Sequence, residues 1–139
     1  MSAADDLKRF ALFADLGEGE REELASLLEE RDLSAGETLF DEGDDADALL
    51  LVLEGRLELR SRRRAEPLSI GAGEVLGGLA LFAVGCREVS AVGGEPTALR
   101  LLRREDFLRF AEDQPRAAFR IAAALVADVA QHARAAVSE

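Results

Sequence analysis

The spacing of apolar positions changes twice along the chain. Up to about residue 32 it is helical: Leu7, Phe10, Leu12 and Phe13 cluster on a short segment, and Leu24, Leu27 and Leu28 recur at three-to-four spacing within GEREELASLLEER. Two short helices are predicted there. From Leu33 onward Gly36, Gly43, Gly55, Gly71 and Gly73 interrupt short apolar runs at intervals that suit strands joined by turns. ETLF, ALLLVLEG, RLELRS, PLSI, REVSAVGG and TALRLL are the clearest of about eight expected strands, which suggests an antiparallel roll or sandwich. Helical periodicity returns at RREDFLRFAED, where Phe107, Leu108, Phe110 and Ala111 form one apolar side, and Pro115 opens a final helix.

The expected fold is therefore mainly β with flanking helices (α+β), a jelly-roll-like antiparallel β-roll. Residues 1–139 read as a single domain: helices over 1–32, the roll over 33–102 and helices over 103–139. On the last helix Ala122, Val126, Val129, Ala133 and Ala136 follow a 4-3-4-3 spacing, the seam of a coiled coil built from small residues. A homodimer through this C-terminal helix is one reading. Packing of the same face on its own domain is the other. Ile121 and Leu125 lie beside the seam, where they would pack back on the roll.

Composition narrows the function. With 139 residues, 48% of them hydrophobic, the chain has material for one core. A formal charge of -11 is the wrong sign for holding phosphate backbones, so nucleic acid is not an expected partner. The N-terminus MSAADDLKRF lacks the basic flank and apolar stretch of a secretory signal. The apolar run Ala48 to Leu53 falls far short of the roughly 20 residues of a spanning helix, so no membrane association is expected and the location reads as cytoplasmic. Cys86 is alone and cannot form an internal disulfide.

Catalytic chemistry lacks its usual donors. A metal-binding β-barrel generally uses several histidines, and this chain has only His132, on the last helix, where it reads as a surface residue. A nucleophilic Cys86 or serine would need a base within reach. No metal and no enzymatic activity are expected. The run from Arg60 to Arg64 reads as a solvated hairpin tip, and the acidic stretches Glu18 to Glu30 and Asp41 to Asp47 as solvated faces and turns without calcium-loop spacing.

The glycine-dense centre is the most specific segment. LSIGAGEVLGGLALF is followed by CREVSAV, which places an arginine ten residues after Gly77. Residues 71–92 resemble the phosphate-binding cassette of the cyclic nucleotide-binding domain family, which includes bacterial catabolite activators and regulatory subunits of cyclic-AMP-dependent kinase. The resemblance runs over nearly the whole chain, with Gly36, Gly43, Gly55, Gly73 and Gly77 standing where the family's structural glycines stand. It implies a turn over Gly77, Gly78, Leu79, Ala80 and Leu81 that offers N–H groups to a cyclic phosphate, with Arg87 pairing through its guanidinium fork. Glu88 and Ser90 complete the candidate ligand-binding set. The alternative for Arg87 is a surface ion pair.

Two departures bear on the ligand. The family's acidic residue, which accepts a hydrogen bond from the ribose 2'-hydroxyl, is replaced by Gly78, and such a bond contributes about 1.5 to 3 kcal/mol. Glu88 stands where the family has a small or hydroxyl residue, and a carboxylate near a phosphate repels it. Cys86 stands where proline is common, and reads as a small packed residue rather than a redox sensor. The chain ends where DNA-binding members continue into a helix-turn-helix, so no such module is expected. Two readings follow: a regulatory module with a degenerate pocket that works through protein partners, or a sensor of a cyclic nucleotide or another small phosphorylated effector. No resident cofactor is expected, and cyclic nucleotide binding would be weak.

Overall fold

A computed structural model describes residues 3–63 and 65–138, with side chains through Gln131. Leu27–Phe107 form one compact unit, and the helical segments through Ser26 and from Leu108 onward form a second. Among the described residues, no helix is long and apolar enough to cross a membrane.

The first unit is an antiparallel roll. Its strands are β1 (Glu29–Leu33), β2 (Thr38–Phe40), β3 (Asp45–Ala46), β4 (Ala48–Glu54), β5 (Arg56–Arg60), β6 (Leu68–Gly71), β7 (Val75–Leu76), β8 (Gly85–Cys86), β9 (Ser90–Gly93) and β10 (Thr97–Arg103). They form sheets of order β1-β10-β4-β7 and β2-β9-β5-β6, plus the small pair β3-β8. Every pairing is antiparallel, as the strand pattern predicts. Ala48 through Leu53 are buried without a break, because β4 lies inside its sheet between β10 and β7. Leu33, Val52, Leu57, Leu59, Ala91 and Leu99 make the core between the sheets, with Phe40, Ile70 and Leu76 against it. Each fully buried leucine contributes roughly 1.5 to 3 kcal/mol.

The roll begins earlier than the sequence pattern places it. The expected helical segment 1–32 ends at Ser26, and Glu29–Leu33 is strand β1, with Glu29 opposite Leu101 and Leu33 opposite Thr97. Four of the five β1 residues are exposed. EERDL has helix-favouring composition, but the open edge of β10 supplies hydrogen-bond partners that local propensity does not register. Charged side chains suit an edge strand exposed to water. The two-residue strands β3, β7 and β8 also escape the pattern, since they are too short to display a period. At the far end β10 extends to Arg103, one residue past the expected limit.

The second unit contains α1 (Ala3–Leu7), a single 3-10 turn at Ala11–Phe13, α2 (Glu18–Ala25), most of α3 (Arg104–Asp113), and α4 (Pro115–Ser138). Leu7, Phe10, Phe13, Leu24, Phe110 and Ile121 are among its buried apolar residues. α4 packs on the 3-10 turn. Arg21 is buried there, and its guanidinium donates to the carbonyls of Ala14 and Leu16. Gln114 donates to Glu23 at 2.9 Å, tying the start of α4 to α2.

Candidate functional site

The site is built around a change of backbone handedness. β7 pairs with β4 through Leu50 and Leu76, and the chain then reaches Gly77 at φ 81 and ψ 30, the left-handed region. A residue with a Cβ would incur about 1 to 2 kcal/mol there. The turn Gly78–Leu81 follows, closed by Ala80 N–H donating to the Gly77 carbonyl at 3.0 Å and by Phe82 and Ala83 N–H donating to Leu79. Gly78, Ala80 and Leu81 are buried, whereas Leu79 is 59% exposed. Phe82 anchors the end of the turn edge-on against Phe107, with ring centroids 5.1 Å apart.

Arg87 sits against this turn. Its backbone is held by the acidic loop: Arg87 N–H donates to Asp44 at 2.7 Å, and Gly43 N–H donates to the Arg87 carbonyl at 2.8 Å. The side chain is only 8% exposed, so it is not the surface arginine of the alternative reading. Nη2 donates to the Ala48 carbonyl at 2.9 Å, and the guanidinium carbon lies 4.4 Å from the centre of the Phe40 ring. Nη1 occupies the space a Gly77 side chain would take, 2.4 Å from the position of such a Cβ. Gly77 thus permits both the handedness of the turn and the approach of the cation.

Burial pushes the Arg87 guanidinium below its usual pKa, and the negative charge of Asp47 opposes that shift. Ala48 takes one of five N–H donors. Among the described residues Arg87 makes no other side-chain hydrogen bond, so its remaining donors are available to a ligand. A desolvated cation with free donors beside backbone N–H groups is suited to receive a small anion.

The other expected residues are distributed unevenly. Gly77, Gly78, Leu79, Ala80, Leu81 and Arg87 are brought together. Glu88 is adjacent in sequence but exposed. Ser90 is engaged elsewhere: it lies on β9 opposite Arg60, and its Oγ accepts the Glu42 N–H at 2.8 Å. It lines an open depression of about 430 Å³ with Asp41, Glu42, Arg60, Ser61 and Arg62. Cys86 is exposed opposite Asp45 rather than packed in the core. On α4 Val126 and Val129 are 66% and 43% exposed, Ala122 is half-buried, and Phe119 extends the same stripe at 73% exposed. The side chains of His132, Ala133 and Ala136, and all of Arg64, lie outside the described residues.

Phe40, Ala48 and Asp47 are site residues that the sequence pattern does not reveal. Asp47 sits within a loop whose acidic composition reads as turn chemistry, and Ala48 acts only through its carbonyl. Arg104, which reaches the same turn, carries one signal: a cation in the first turn of a helix opposes the helix dipole and so suggests another partner.

The sequence profile described as cyclic nucleotide-binding domain matches residues 30–114. The Cyclic AMP receptor protein of Thermus thermophilus is 35% identical over 124 residues, covering 86% of this chain and 57% of its own length. The chain thus spans little more than half of that relative. Among solved structures, the N-terminal domain of a transcriptional regulator from Streptomyces coelicolor A3(2) superposes with a TM-score of 0.83 at 31% identity, covering 94% of both chains. The Thermus thermophilus Catabolite Activator Protein gives 0.76 at 32% identity, over 90% of this chain and 59% of its own. With a family profile that matches residues 30–114, an antiparallel roll and a buried arginine at the glycine-rich turn, this chain belongs to the cyclic nucleotide-binding domain family.

Proposed function

We propose that the chain is a non-catalytic regulatory module of the cytoplasm whose pocket is degenerate for cyclic nucleotides and whose output passes through contacts with other proteins. The observation that carries this reading is Gly78, a buried residue without a side chain at the position where the family resemblance calls for a ribose-binding carboxylate. Losing that bond weakens binding by about 1.5 to 3 kcal/mol, or roughly ten- to a hundredfold and more. Glu88 adds repulsion toward a phosphate, but its exposure to water screens the charge, so Gly78 is the weightier departure. Calorimetric titration with cyclic AMP, cyclic GMP and cyclic dinucleotides tests the reading. Dissociation constants near millimolar are expected, and sub-micromolar binding overturns it. Gly78→Glu combined with Glu88→Ala should tighten cyclic AMP binding at least tenfold.

The second reading, a working sensor for a small phosphorylated effector, is favoured by Arg87. Its guanidinium is held at Gly77 by Ala48 and Phe40, and a cation fixed in place by the fold reduces the cost of binding. The titration separates the two readings directly.

Homodimerisation through α4 belongs to the same proposal. Phe119, Val126 and Val129 present an exposed apolar stripe at helical spacing, with Ala122 between them and Ala133 next in the repeat. Light scattering at micromolar concentration should report about twice the 15.0 kDa chain mass, and Val126→Glu should halve it. A single-chain mass at high concentration, unchanged by the substitution, refutes the seam.

A further inference from the structure

We propose that Arg104 is a positioning residue of the candidate anion site, clamping the glycine-rich turn to the segment that holds Arg87; the inference rests on the reading of that turn as an anion site. Arg104 is the first residue of α3, and its own N–H donates to the Asp47 carbonyl at 2.8 Å. Its Nε donates to the Ala80 carbonyl at 2.6 Å, and its Nη2 donates to the carbonyls of Ala83, at 3.2 Å, and Ala46. One guanidinium therefore binds three carbonyls from two segments: the C-terminal half of the glycine-rich turn, and the β3–β4 junction.

That junction is also where Arg87 is fastened. Ala48, two residues beyond Ala46, accepts from Arg87 Nη2. The Ala80 backbone is doubly placed, since its N–H closes the turn onto Gly77 while its carbonyl is taken by Arg104. Arg104 thus fixes one end of the turn and Arg87 lies against the other, with residues 46–48 as their shared support. All three side-chain acceptors are carbonyls rather than carboxylates, so the cation's charge is not cancelled by the groups it binds. Such a position selects the planar fork of arginine over the single ammonium of lysine, which cannot span the same carbonyls with fixed geometry. Placing a cation in the first turn of a helix carries a cost against the dipole. Charge-assisted bonds to three carbonyls outweigh that cost.

A general structural staple and a positioning residue differ in where their loss is felt. Amide hydrogen exchange on the whole chain reads this without any ligand. Arg104→Ala should accelerate exchange at Ala80, Phe82 and Ala83 at least tenfold, while Leu57, Leu59 and Ala91 in the β5–β9 ladder stay within twofold. Arg104→Lys should fail to restore the protection. Arg103→Ala, which removes the neighbouring arginine's carboxylate pairs with Glu29 and Asp47, should leave the turn within twofold. Should Arg104→Ala not fold, Arg104→Lys serves for the same measurement. Unchanged exchange at the turn, or equal acceleration in the β5–β9 ladder, overturns the proposal. Titration with cyclic AMP as probe is the separate arm. If the wild type binds it, Arg104→Ala should weaken binding at least tenfold, and undiminished binding overturns the proposal. A wild type that binds none removes the cyclic AMP reading, while exchange still decides the role of Arg104.

Discussion

Gly55 and Gly77 share a positive φ and serve different ends. Both are left-handed, at φ 92 and φ 81, and both stand where a side chain would collide with something. At Gly55, between β4 and β5, the collision is with backbone: a Cβ would lie 2.5 Å from the Pro96 carbonyl oxygen and 2.7 Å from Thr97 Cα. Thr97 reinforces that corner, its Oγ1 accepting the Arg56 N–H at 3.1 Å and lying within hydrogen-bond distance of the Glu95 and Arg56 carbonyls. At Gly77 the nearest atom is the Nη1 of Arg87, the movable end of a side chain. The space at Gly55 is filled by the fold, and the space at Gly77 by a functional group. One glycine specifies how the roll closes, and the other specifies where a cation rests.

That contrast predicts a graded series of effects. Gly55→Ala should be the most damaging, because strain from the positive φ adds to a clash that only backbone movement can relieve. About 3 kcal/mol or more of stability should be lost, read as a fall of roughly 10 °C in melting temperature. A loss under 1 kcal/mol would show that the corner can open and would erase the distinction.

Gly77→Ala should have a smaller effect on stability, about 2 kcal/mol, since Arg87 can swing away. It should instead abolish whatever anion binding the wild type displays. The sharper test combines it with Arg87→Ala in a double-mutant cycle. Removing the arginine relieves part of the clash, so the double variant should lose about 1 kcal/mol less than the sum of the two single losses. Strict additivity in denaturant unfolding would mean that the guanidinium does not fill the space at Gly77 in solution.

The weakest effect belongs to the charged pair behind the site. Arg103 donates to both carboxylate oxygens of Glu29, at 2.7 and 3.1 Å, and at 3.1 Å to Asp47, the residue before the one that holds Arg87. The hydrogen bond from Arg103 holds the Glu29 carboxyl below its ordinary value of 4.5. A carboxylate lowered on folding contributes stability that is fully present above its ordinary pKa and is lost as the pH falls through the lowered value. Glu29→Gln should therefore cost 1 kcal/mol or less near neutral pH, because both side chains are partly exposed. The difference from wild type should shrink below pH 4.5 and with added salt. A difference that grows on acidification would contradict the assignment.

The legible and illegible parts of the molecule divide along the same line as the two glycines. Gly36, Gly43, Gly55, Gly73 and Gly77, the five that the family resemblance puts in register, are the glycines with positive φ among the described residues. Their signal is readable because the conformational demand is met by the residue itself. β4 was equally readable from its unbroken apolar run. β1 was not, since the propensity of Glu29 to Leu33 is overridden by pairing with a strand about seventy residues away. Ser90 illustrates the converse. Its proximity to Arg87 in sequence suggests a shared site, but strand geometry commits its hydroxyl to Glu42.

The sequence by itself determined the run of short strands and the glycines at positive φ, because those features depend on each residue and its covalent neighbours, and the family resemblance points to Arg87 as the cation at the glycine-rich turn. Only the tertiary structure decided what the cation does. Arg87 is oriented by a carbonyl 39 positions away, and Arg104 reaches carbonyls 24 and 58 positions away. Backbone carbonyls are present at every residue, so no residue type marks the ones that serve as acceptors. Their selection follows from which segments the closed roll brings within hydrogen-bond distance, a property of the folded chain rather than of any stretch of it.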